Sequence, residues 1–167
     1  MTRTDTPPAR DERTQLATFL DYARDTARAK CEGISPEDAR RAPLPGSPLM
    51  TVSGLINHLS WVEYYWFEVA FLGGEDEGPW TDEDPDREMR IAVDMPLADL
   101  LSEYEARTAR YRELVASHEL DTPAKRPHRD GRYPDLRWIV LHLIEETARH
   151  NGHLDMIREI VDGTTGV

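Results

Sequence analysis

The sequence carries one cysteine, Cys31, and only two lysines, Lys30 and Lys125, among 167 residues. A single cysteine excludes an intrachain disulfide, so any core must hold without covalent staples. Cys31 closes an apolar periodicity (Leu16, Phe19, Leu20, Ala23, Ala27, Cys31), which reads as a small core residue rather than a reactive thiol. Long apolar runs are also missing, and none approaches the roughly 18 residues of a membrane helix. The segment from Met1 to Arg13 is polar, holds Pro7 and Pro8, and lacks a signal peptide's apolar stretch. These absences predict a cytoplasmic protein without a membrane partner.

Positive charge is scarce as well. Against 20 basic residues stand 32 acidic ones, a formal net charge of -12. A field of that sign repels phosphate backbones and anionic lipid surfaces, which excludes nucleic acid and membrane as partners. All but two of the basic residues are arginine, a bias that points to GC-rich coding rather than to a phosphate-reading surface.

What remains is charge arranged with a helical period. A hydrophobic content of 39% with 31% charged residues suits amphipathic helices, not the continuous apolar runs of a buried parallel sheet. The length fits one domain over 1–167. Four long segments carry the period. The first runs from about Asp11 to Glu32, and the second from Ser47-Pro48 or Thr51 to Gly73-Gly74. The third opens at Asp94, with Pro96 just inside, and reaches His118; the fourth spans Pro134-Asp135 to Asp162-Gly163. Each start offers an Asp, Ser or Thr cap or an early Pro, and three ends have Gly just beyond. Ser35-Pro36-Glu37-Asp38 reads as one capped helical turn. Between the second and third segments, Gly73 to Met95 is an acidic loop long enough to be functional, disordered or a crossover. The link from Asp121 to Pro134 holds Arg126, His128, Arg129 and Arg132, a basic island whose arginines are candidates for holding substrate carboxylates.

The second helix has the apolar stripe Val52, Leu55, Leu59, Val62, Trp66 and Ala70, with His58 at its edge facing inward. The fourth has Leu136, Val140, Leu143, Thr147, Leu154 and Ile160, with His150 inside the stripe. Glu146 and His153 lie along one flank, and His142 further round. Glu146 and His150 are four residues apart, the spacing by which one helix offers two ligands to one metal ion. Spacing alone leaves a metal site and packed, hydrogen-bonded histidines both open. Gly152 suggests either close approach of a neighbouring helix or a kink, and Arg158 needs a carboxylate, for which Glu63 and Asp155 are candidates. Trp61, Tyr64, Tyr65 and Trp66 read as core or dimer contacts, or as a pocket wall.

The stretches Gly-Leu-Ile-Asn-His-Leu-Ser-Trp-Val-Glu-Tyr-Tyr-Trp-Phe at 54–67 and Leu-Arg-Trp-Ile-Val-Leu-His-Leu-Ile-Glu-Glu-Thr-Ala-Arg-His-Asn-Gly-His-Leu-Asp-Met-Ile-Arg-Glu at 136–159 resemble the DinB-like superfamily. The likeness is closest to an actinobacterial branch related to mycothiol S-transferases and mycothiol-dependent maleylpyruvate isomerases. The resemblance implies an all-α four-helix bundle of the DinB/YfiT-like type with a long crossover, often dimeric. It also implies a divalent metal ion on His58, Glu146 and His150, where many members have histidine at the position of Glu146. His153 would then be either a group that supports a ligand from behind or a substitute ligand. Two imidazoles and a carboxylate suit Zn(II), Ni(II), Mn(II) or Fe(II), with Zn(II) favoured. The implied reaction is attack of a small-molecule thiol, mycothiol or a similar compound, on a small electrophile. Two other classes stay open: a non-enzymatic metal-binding or stress-response bundle, favoured by an arginine on Glu146, and a metal-dependent hydrolase with Glu63 or His153 as base.

Overall fold

Four long helices and two short ones form the regular structure in the computed structural model, which describes Thr6, Pro8 and residues 11–166. The polar stretch expected at the start of the chain otherwise lies outside the described residues. Among those described, no strand forms beyond one isolated bridge between Pro123 and Asp135.

Local chemistry starts and stops each helix. α1 (Glu12–Ala29) begins where the Asp11 side chain accepts from Thr14 N, and α2 (Pro36–Arg40) where Ser35 accepts from Asp38 N. α3 (Val52–Tyr64) is capped by Thr51 and runs on as a π-helical segment, Tyr65–Phe71. The carbonyl of Ala70, near the end of that segment, accepts from Lys125 N and Arg126 N, so the basic link is sewn to it. α6 (Leu136–Asp162) starts at Asp135, which accepts from Trp138 N, and stops at Gly163, whose φ of 76° suits glycine.

The acidic loop between the second and third long helices is not a plain loop. It contains α4 (Arg87–Ile91) and a 3-10 turn, Ala92–Asp94, and only then does α5 (Leu97–Ser117) begin behind Pro96. A five-residue helix leaves no readable period, and this one owes its place to burial of Met89 and Ala92 against α3.

α1 packs on α6 and α5, and α3 packs on the same two, which closes the long helices into a ring. The core forms two apolar clusters. One gathers Leu20, Phe67, Tyr111, Leu136 and Leu143. The other gathers Ala27, Leu55, Leu59, Tyr104, Leu154 and Ile157. In sequence, each long helix places buried polar residues between its contributions to the two: Arg24, Glu63, Thr108, and Thr147 with His150 and Asn151. Arg24 donates to both Glu63 oxygens, at 2.8 and 2.6 Å, and Asn151 Nδ2 donates to Ala23 O at 2.9 Å. A polar layer thus crosses the middle of the fold, and such a layer must be hydrogen-bonded to be tolerated.

Some expected placements change. Phe19 and Ile160 are half exposed, and Ile157 takes the buried position on α6. Arg158 pairs with Asp162 and donates to the carbonyls of Lys30 and Glu32, while Glu63 is taken by Arg24 and Asp155 by Lys30. Gly152 faces open space, so no neighbouring helix approaches it, and nothing in the structure explains it.

Candidate metal centre

His58 reaches the polar layer from α3, and Glu146 and His150 reach it from α6. One oxygen, Glu146 Oε1, lies 3.0 Å from His150 Nε2 and 3.4 Å from His58 Nε2. The ligand-type atoms of these three residues all lie within 4.8 Å of one another. The two imidazoles stand edge to face, with centroids 4.8 Å apart. Three donors from two helices therefore converge on one point, where a divalent cation would satisfy them together.

Charge is poised for such an ion. Burial disfavours the His58 cation, but hydrogen bonds to Glu146 and Glu88 outweigh it and raise its pKa to about 9. The hydrogen bond from His150, then that from His58, holds the Glu146 carboxyl far below the usual carboxylate range. Without a metal, a proton on His58 balances Glu146; a cation would replace it. The other Glu146 oxygen, Oε2, takes Arg149 Nη1 at 3.2 Å in a partly exposed contact.

The structure sorts the remaining expected residues. His153 Nδ1 lies 3.2 Å from His150 Nδ1, behind that imidazole rather than among the converging atoms. His142 stacks on Trp138 and meets the Trp66 edge, apart from the site. Glu63, weighed as a general base, is 1% exposed with both oxygens on Arg24, so it has no free lone pair aimed at a substrate.

A cleft of about 530 Å³ opens beside His58, walled by Tyr65, Trp66 and Trp80, with Asp82, Asp86 and Arg129 also lining it. The π-helical segment carries Tyr65 and Trp66 to it; such widened turns often occur at functional sites. Trp61 lies instead under the Arg107 guanidinium, and Tyr64 binds the backbone of Glu75 and Glu77. Of the three candidate arginines, Arg126 donates to Gly73 and Gly74 carbonyls and Arg132 to Asp130. Arg129 alone of the three lines the cleft with His58.

Against this geometry, a family model described as mycothiol-S-transferase matches residues 15–163. The chain belongs to the mycothiol-S-transferase family. The match runs from within α1 through Gly163 and so takes in the converging donors and every later helix. No curated protein matches the chain.

Two residues of the site carry no distinguishing signal in the sequence. Glu88, from α4, stands 2.9 Å from His58 Nδ1 with its carboxylate. Trp80 lies in the same segment and walls the cleft. Glu88 is one of many carboxylates in that stretch, and no spacing rule distinguishes it. The one hint was the apolar pair Met89 and Ala92 beside it, a sign that this part of the crossover is buried.

No helix among the described residues is long and apolar enough to cross a membrane.

Proposed function

We propose that the chain is a metal-dependent S-transferase that joins a mycothiol-type thiol to small electrophiles. The observation that carries the reading is the convergence of His58, Glu146 and His150 within 4.8 Å beside an aromatic-walled cleft. These three residues would hold a divalent ion, Zn(II) in the first instance, with Ni(II), Mn(II) and Fe(II) as alternatives. Held there, such an ion would supply Lewis acidity, which favours ionisation of a thiol near neutral pH. Tyr65, Trp66 and Trp80 form the apolar wall that takes the electrophile and excludes water. Arg129 offers a guanidinium to an anionic group on the substrate. Family membership supports thiol transfer, and the donor set supports the metal.

The same reading takes the four long helices as a single DinB-like four-helix bundle domain over 1–167. Its stretch from 73 to 95 is the crossover, and the protein acts as a homodimer in the cytoplasm.

One observation favours a non-enzymatic bundle instead: the Arg149 contact to Glu146 Oε2. Arg149 is itself half exposed and shared with Glu145, and it leaves Oε1 facing both imidazoles. That oxygen is the one a metal needs, so the transferase reading stands ahead. A hydrolase reading lacks a placed base, since His153 lies behind His150 and Glu63 is held by Arg24.

The test is elemental mass spectrometry of tag-free protein beside His150→Ala, followed by turnover assays with mycothiol and electrophiles. The reading expects about one metal per chain, lost in the variant, with turnover that needs thiol. Metal-free protein after incubation with Zn(II), Ni(II) or Mn(II) would sink it. Turnover without thiol would favour the hydrolase.

A further inference from the structure

Glu88 is 3% exposed, an unusual place for a carboxylate. Its Oε1 meets His58 Nδ1 at 2.9 Å, and its Oε2 is buried with no hydrogen-bond partner among the described residues. Leaving a buried charged oxygen unpaired is costly, so a strong reason must hold the side chain there.

The backbone is built to deliver it. Three α3 positions, at i, i+3 and i+4, receive α4 on one face. At Gly54 a Cβ would stand 2.9 Å from Leu49 O and 3.3 Å from Met89 O, so any side chain there would press on the entry to α3 and crowd α4. At Asn57 the side-chain amide donates to Glu88 O at 2.6 Å. At His58 the imidazole takes the Glu88 carboxylate. Asn57 and His58 thus grip the backbone and the side chain of one residue.

Both carboxylates beside the ring only accept, and Glu88 at 2.9 Å stands closer to Nδ1 than Glu146 at 3.4 Å stands to Nε2, so the one proton of a neutral imidazole belongs to Nδ1. In neutral imidazole the lone pair is then on Nε2, the nitrogen that faces Glu146. We propose that Glu88 is a positioning residue for His58, accepting the Nδ1 proton and fixing Nε2 as the atom presented to a metal. The negative charge behind the ring also makes that nitrogen a stronger donor. The part concerning affinity rests on the metal reading of the site; the part concerning the tautomer does not.

Two measurements decide it. In metal-free protein with ¹⁵N-labelled histidine, at a pH where His58 is neutral, nitrogen chemical shifts are expected to show His58 protonated on Nδ1. Glu88→Leu is expected to revert it to the Nε2-protonated form. In a chelating-dye competition, Glu88→Gln is expected to bind Zn(II) roughly 10- to 100-fold more weakly, with unchanged circular dichroism. An Nε2-protonated His58 in the wild type overturns the proposal, and so does Zn(II) affinity within about twofold of wild type in Glu88→Gln. Should Glu88→Leu not fold, the wild-type tautomer and the Gln variant still decide. Wild type that binds no Zn(II) sinks the metal reading, and the tautomer alone then judges Glu88.

Discussion

Arg24 on α1 clamps both oxygens of Glu63 on α3, at 2.8 and 2.6 Å, and each is almost fully buried. This pair lies in the polar layer that also holds His150, and it ties α1 directly to α3. Removing one partner strands the other charge in the core. Glu63→Ala is therefore expected to lose about 3–5 kcal/mol of stability in urea unfolding. A loss under about 1 kcal/mol would show that water reaches the pair.

The pH dependence of metal uptake follows from His58. Its folded-state pKa of about 9, raised against burial by hydrogen bonds to Glu146 and Glu88, means that a proton must leave before Nε2 can coordinate. Zn(II) affinity is expected to rise with pH, by about tenfold per unit between neutrality and about pH 9, for one proton released. A flat profile in dye competition would mean that His58 is not a ligand.

Metal-free protein should respond in the opposite sense. Because the His58 pKa is raised from 6.5 in folded protein, its contribution to stability is complete below about pH 6.5 and is lost as pH rises through about 9. The groups facing it are Glu88 from α4 and Glu146 and His150 from α6. Chelator-treated wild type is expected to show a falling urea midpoint across that window, and His58→Gln a flatter one. Parallel curves would contradict the assignment.

Cys31 should be chemically silent. Burial pushes its thiol up to about 12, against the pull of Arg158 and Arg28. An aromatic disulfide reagent is expected to label it only on unfolding, and Cys31→Ala to keep any thiol-transfer activity. Rapid labelling of native protein would mean that the end of α1 opens readily.

Arg129 is the basic-island arginine left for substrate. Arg129→Ala is expected to raise KM for carboxylate-bearing electrophiles while leaving neutral ones unchanged. Equal effects on both would show that Asp82 and Asp86, which line the same cleft, cancel its field.

Much of this molecule is legible along the chain because helix signals are local. Asp11, Ser35, Thr51 and Asp135 all serve as the side-chain caps their positions suggest. Glu146 and His150 share a face because four residues make about one turn, and their apposition needs nothing beyond α6. That His58 meets them is a different kind of fact. It depends on how α3 and α6 are rotated about their axes, which packing sets and no single-helix period contains. Glu88 is further still from view. A five-residue helix has no period to read, and its place comes from the room at Gly54, the grip of Asn57 and the burial of Met89. Local signals along the chain account for the four long helices, most of their inward faces and one half of the donor set. Only tertiary packing decided the other half, because which faces meet depends on side chains filling space between elements distant in the chain.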